Sequence, residues 1–273
     1  MARWGRSLDT PPAGRIFVRS APGAGPTVLL LHGFPSSSFD YREVVGHLGD
    51  RAWVTLDFLG FGLSDKPHPH RYSLFEQADL VERVVAATTT GPVVLIAHDM
   101  GTSVATELLA RDLEGGALPF DLQRAVLTNG SVILDRASLR PAQKLLRGPL
   151  GGPLVSRLTN RSGFTRGFAR LFSAAHPLSP DEARAQWELL SYKDGHRIAH
   201  LLCAYLDERV RYARRWHGAV ADWPKPLSFL WGVCRTRWPP SMCSTACASC
   251  GPPRGSPNCP VWALPQVEVP DVV

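Results

Sequence analysis

The stretch Val93-Val94-Leu95-Ile96-Ala97-His98-Asp99-Met100-Gly101-Thr102-Ser103-Val104-Ala105 decides the fold. An apolar run of strand length passes through a small–x–Asp–x–small turn into a helical pattern. Small residues at Ala97 and Gly101 suit a sharp strand-to-helix turn, because bulky side chains would collide as the backbone folds over itself. Such a turn lifts the Asp99 carboxylate to a helix N-terminus, where N–H groups and the helix dipole favour negative charge. Two readings compete for this residue: an exposed nucleophile, or an Asp serving only as the helix N-cap.

Working outward, strand-length runs alternate with amphipathic stretches through the first half of the chain, the pattern of a parallel sheet with crossover helices. Strands are expected at Arg15–Arg19, Thr27–Leu31, Ala52–Asp57, Val93–Ala97 and Arg124–Thr128. Between Ser73 and Ala87, helical spacing puts Leu74, Ala78, Val81 and Val85 on one face, with Glu76, Asp79 and Glu82 turned elsewhere. Each strand ends in a loop rich in Gly, Pro, Ser or Asp, the place where open α/β sheets bind ligands. From about Asp135 to Asp222 the strands give way to a helical, Arg-rich, aromatic segment, read as a lid. A strand returns at Pro226–Trp231. This divides the chain into a core (1–134), a helical lid (135–222), a returning core strand (223–233) and an aberrant Cys/Pro-rich tail (234–273).

Two further motifs, His32-Gly33-Phe34-Pro35-Ser36-Ser37-Ser38 and Asp57-Phe58-Leu59-Gly60-Phe61-Gly62-Leu63-Ser64-Asp65-Lys66-Pro67, stand in order before His98-Asp99-Met100-Gly101. Together they resemble the α/β-hydrolases of the epoxide-hydrolase and haloalkane-dehalogenase branch. The resemblance spans Arg15 to about Leu230. Asn129-Gly130 and Arg214-Arg215-Trp216-His217-Gly218-Ala219 look nearest to its mesoderm-specific-transcript-like subgroup. The resemblance implies an α/β-hydrolase fold, a mostly parallel sheet flanked by helices, with a helical lid.

It also implies Asp99 as a nucleophile that opens a carbon–oxygen or carbon–halogen bond and forms an alkyl-enzyme ester, which a His-activated water then hydrolyses. The backbone N–H groups of Phe34 and Met100 become the oxyanion hole. A serine esterase is disfavoured because position 99 is not Ser. The dehalogenase alternative is weaker, since Met100 and Phe34 stand where that group places side-chain donors to a halide. Epoxide hydrolases use lid tyrosines as donors to the epoxide oxygen, which makes Tyr205, Tyr192 and Tyr212 candidates, each equally readable as lid core. His32 is grouped with Tyr205 and Tyr192 as substrate-contacting, although its motif position also suits loop shaping.

The family pattern breaks near the end. Its acid belongs in Gly232-Val233-Cys234-Arg235-Thr236, which has none, and its His belongs where Trp262-Ala263-Leu264-Pro265 has Ala263. If Cys234 to Trp238 is encoded TGC-CGG-ACC-CGG-TGG and followed by CC, the neighbouring frame reads Pro-Asp-Pro-Val-Ala, a family-like acid loop. Offsetting Cys243–Gly251 and Asn258–Ala263 in the same way also gives family-like sequence. The segment from Cys234 to Ala263 is therefore read as frameshifted, with its C-terminal strand and helix disrupted. Cys243, Cys247 and Cys250 then need no zinc, although their spacing resembles a metal site. The expectation is a hydrolase of epoxide-hydrolase type crippled in turnover. The alternative from another class is a non-catalytic protein that binds a small ligand in the lid pocket.

Composition narrows the partners. The net charge of +6 comes from 26 Arg and 4 Lys against 24 acids. These cations read as scattered along the chain rather than gathered in the aromatic-interleaved stripe of a nucleic-acid surface. No early apolar run is long enough for a signal h-region or a membrane span. The expectation is thus a cytoplasmic protein with no metal, no cofactor, no nucleic-acid partner and a small apolar substrate such as an epoxide.

Overall fold

The computed structural model describes residues 5–115, 118–130, 141–148, 151–173 and 176–230. Seven strands form one sheet: β1 (Gly5–Thr10), β2 (Gly14–Ala21), β3 (Ala24–Leu31), β4 (Arg51–Leu56), β5 (Val93–His98), β6 (Leu122–Thr128) and β7 (Leu227–Leu230). They lie in the order β1-β2-β4-β3-β5-β6-β7. The first two pairings, β1 with β2 and β2 with β4, are antiparallel, and the remaining pairings are parallel. Five expected strands and the returning one appear within a few residues of their sequence bounds. β1 was not expected: Gly-Arg-Ser-Leu-Asp-Thr lacks an apolar face, and only its last residue is buried.

Alternation in β3 and β5 builds two core layers. Leu29, Leu31, Leu95 and Ala97 face one side, with α2 (Leu74–Thr88) and α3 (Met100–Leu113) packed there. Val28, Leu30 and Ile96 face the other, against Tyr41 and Val44 of α1 (Val44–His47) and the turn before it. Helix α2 buries Leu74, Ala78, Val81 and Val85 as its spacing dictates. Ser73 caps it by accepting the Phe75 N–H at 3.2 Å.

Between β6 and β7 the chain makes a helical excursion comprising α4 (Pro141–Arg147), α5 (Gly151–Leu158), α6 (Arg161–Ala169), α7 (Pro180–Ser191), α8 (Ala199–Leu202), α9 (Tyr205–Arg211) and α10 (Ala213–Asp222). A 3-10 segment after α7 is kinked at Lys193 and Asp194, both in the left-handed region. Buried polar links tie the excursion to the core. Gln186 donates to Asp40 at 2.8 Å, Arg42 pairs with Glu182 at 2.5 Å, and Glu208 accepts the Leu74 N–H at 2.7 Å. The Glu107 carboxylate, buried in α3, accepts from Arg111 at 3.0 Å, from Arg215 at 2.8 Å and from the Trp216 indole at 2.8 Å. No helix among the described residues is long and apolar enough to cross a membrane. The expected acid loop, the histidine position, the cysteine cluster and the tail read as frameshifted lie outside the described residues.

Candidate active site

Parallel register brings the carboxyl ends of the central strands to one line. Leu31 pairs with Ala97, His98 with Thr128, and Thr128 with Leu230. The loops that follow β3 and β5 therefore meet, as expected for the ligand-binding rim of such a sheet. The turn at Asp99 is as sharp as its small neighbours suggest, with φ at 45°. Gly101 permits it: a Cβ there would fall 2.6 Å from the Leu31 carbonyl oxygen and 2.7 Å from that of His32. A non-glycine residue in so sparsely populated a region costs about 1–3 kcal/mol and persists only where the surroundings hold it.

Those surroundings are specific. The Asp99 N–H donates to the Thr128 carbonyl at 3.2 Å. The Asp99 carbonyl accepts from the Thr102 hydroxyl at 2.6 Å, the Thr102 N–H at 3.1 Å and Arg209 Nη2 at 2.9 Å. The residue occupies the N-cap position of α3, yet its side chain caps nothing. Instead Oδ2 accepts the Phe34 N–H at 3.0 Å, and the side chain keeps 21% of its surface exposed. Phe34 can approach because Gly33 has no side chain, since a Cβ there would sit 2.7 Å from that of Asp99. Met100 is buried under the turn.

Arg209 is the residue that sequence reasoning missed. Its side chain is 2% exposed, with Nη2 4.0 Å from Asp99 Oδ1. Nε donates to the Ser103 hydroxyl at 2.5 Å, and the guanidinium lies over the Tyr205 ring at 4.6 Å. Nothing local distinguishes Arg209 from the Arg211, Arg214 and Arg215 that follow it.

Of the three residues expected to contact substrate, Tyr205 alone is gathered here. Its ring lies 5.9 Å from that of Phe34, and its hydroxyl accepts from Gln143 at 3.2 Å. Burial, with the nearby Asp99 charge, raises its ionisation far above the usual phenol range, so it stays protonated. The expectation for His32 is corrected. That ring is fully buried, with Nε2 accepting the Phe58 N–H at 3.0 Å and Nδ1 donating to the Gly33 carbonyl at 2.8 Å. Burial lowers its proton affinity, so it remains a neutral brace between two motif loops. Tyr192 makes no contact with Asp99 or Phe34 among the described residues. At 39% exposed it stands over Lys66 and Lys193, 5.1 and 5.5 Å away, in the corner where Asp65 pairs with Lys193 and Arg15. Tyr212 packs on Phe75 and Trp216 as a core ring.

This crossover sheet, with its acidic turn after β5, belongs to the α/β-hydrolase fold family, whose model, described as the alpha/beta hydrolase fold, matches residues 26–188. Among relatives, the chain is 72% identical over 229 residues to a Mycobacterium tuberculosis protein named "Putative hydrolase LipZ", covering 84% of this chain and 78% of that one. It is 35% identical over 226 residues to the mouse mesoderm-specific transcript protein, covering 80% and 68%. Its fold is also that of the haloalkane dehalogenase DbeA from Bradyrhizobium elkani, with a TM-score of 0.66, 22% identity, and coverage of 82% and 79%.

Proposed function

We propose that this chain is a hydrolase of the epoxide-hydrolase type, with Asp99 as nucleophile and a small apolar epoxide as substrate. The observation that carries the reading is the Asp99 side chain. It sits at a helix N-terminus without capping it, partly open, with one oxygen fixed by the Phe34 N–H. Oδ1 attacks an epoxide carbon, the carbon–oxygen bond breaks, and the departing oxygen takes the Tyr205 phenolic proton. Oδ2 becomes the ester carbonyl. When water later attacks that ester, Oδ2 carries the developing charge, and the Phe34 N–H, with that of Met100, stabilises it. The helical excursion acts as a lid over the reaction.

Hydrolysis of the ester is the impaired step, because no acid or His stands at the two family positions near residues 232–236 and 262–265. Chloride or bromide release is disfavoured for want of side-chain donors on Phe34 and Met100. The test is intact-protein mass spectrometry after incubation with styrene oxide, comparing the parent with Asp99→Asn. A persistent adduct of substrate mass in the parent alone is expected. A folded parent that binds styrene oxide without any adduct refutes the nucleophile and leaves a ligand-binding protein. Steady turnover without adduct refutes the impairment.

A further inference from the structure

The surplus positive charge is not scattered. Residues 136–180 hold eight Lys/Arg and no Asp or Glu, whereas the other 228 residues hold 22 Lys/Arg against all 24 acids. The expectation of dispersed arginines is corrected: spacings of three to ten residues hide a single block. Helices α4, α5 and α6 display most of it, with Lys144, Arg157, Arg161, Arg166 and Arg170 exposed. Among the described residues no carboxylate pairs with any of these five, while Arg147 alone is tied to Asp207. Large apolar side chains stand among them. Leu145, Leu154 and Leu158 are 52%, 57% and 67% exposed. Helical spacing sets Leu154, Arg157 and Leu158 on one face of α5, and Leu145 lies against the start of that helix, at Gly151.

We infer that this face of α4–α6 docks onto an anionic lipid surface, with the leucines entering the acyl boundary and the cations meeting the headgroups. Apolar anchors flanked by unpaired basic residues, without acids, are the pattern of an interfacial helix surface. A nucleic-acid face would pair its cations with stacking aromatics, not with protruding leucines. A second copy of the chain is a poor complement, because acids and bases nearly balance outside this block. The surface also adjoins the site, since Gln143 of α4 donates to the Tyr205 hydroxyl. An apolar substrate dissolved in a bilayer would thus meet the protein on the side from which Tyr205 is held.

Co-sedimentation of the full chain with vesicles tests this. One set is pure phosphatidylcholine and the other contains a minority of phosphatidylglycerol. Binding to the anionic set alone is expected, weakening with salt. The double variant Arg157→Gln/Arg161→Gln should bind about 25-fold more weakly, roughly fivefold per charge. Leu154→Ser/Leu158→Ser should bind more weakly at every salt concentration and be lost first as salt rises. These residues are exposed, and circular dichroism checks that both variants stay folded. Equal binding to both vesicle sets, no binding to the anionic set, or variants that bind like the parent would overturn the inference. So would leucine-dependent self-association in vesicle-free sedimentation velocity, or binding of a DNA oligonucleotide that matches lipid binding and ignores the leucine changes. None of these outcomes depends on whether Asp99 reacts.

Discussion

Replacing Arg209 with Met keeps the stem of a buried side chain and removes its guanidinium. Two hydrogen bonds disappear, to the Ser103 hydroxyl and the Asp99 carbonyl. Bonds from a charged donor contribute about 1.5–3 kcal/mol each. Met also avoids the cost of burying a cation, several kcal/mol before compensation. The net loss of stability should therefore be modest, about 1–3 kcal/mol. A domain stable by about 5–15 kcal/mol remains mostly folded after such a loss. The effect on chemistry should be larger. One of three donors holding the Asp99 carbonyl at φ 45° is gone, and misplacing an attacking atom by about 1 Å can slow reaction about a hundredfold. The assay follows adduct formation on Asp99 with styrene oxide by mass spectrometry, beside urea melts of the same samples. Arg209→Met should form the ester about a hundredfold more slowly while still melting as a folded protein. Arg209→Lys, which keeps the charge but cannot span both acceptors, should fall between. Alkylation by Arg209→Met at the parental rate would reduce Arg209 to a space-filling residue.

Gly101→Ala should lower the urea midpoint by the equivalent of about 1–3 kcal/mol, because its Cβ would press on two backbone carbonyls that cannot swing aside; an unchanged midpoint would show the turn to be looser than its geometry. At Asp65, burial pushes the carboxyl up, but Lys193 and Arg15 outweigh it and hold the group down at about 2, below its ordinary 3.8. A carboxyl held down in the folded state stabilises the fold above its unfolded pKa, and that contribution fades as pH falls from about 4 through about 2. Asp65→Asn should flatten the pH dependence of the urea midpoint in that window and, after allowance for solvent screening, cost about 1 kcal/mol at neutral pH. Parallel profiles for the two proteins would count against the Asp65 cluster as a source of stability.

Much of the sheet was legible because its strands announce themselves locally. Val93–Ala97 and Val28–Leu31 are continuous apolar runs of strand length between amphipathic helical stretches, as buried parallel strands are. β1 was illegible for the opposite reason, as it gains its place by pairing with β2 and buries almost nothing. At the site, Gly101 could be read from spacing, since the sharp turn after β5 needs a small residue there, whereas Asp99 was one of two readings of that turn and Gly33 entered only within a family-like motif. Arg209 could not, because its partners Ser103 and Asp99 lie more than a hundred residues away. His32 was misjudged because a sequence shows which side chains can bind a ligand, not which have spent their hydrogen bonds.

The buried Glu107 carboxylate has a mechanical consequence. It sits on α3, the helix that begins beside Asp99, and takes N–H groups from Arg215 and Trp216 of α10. Parting these two helices would take the Arg215 and Trp216 donors from Glu107 and leave it only Arg111 of its own helix, at about 1.5–3 kcal/mol for the bond from the Arg215 cation alone. Helix α3, which begins beside Asp99, and α10, the last helix of the excursion, are therefore pinned together through one shared buried carboxylate.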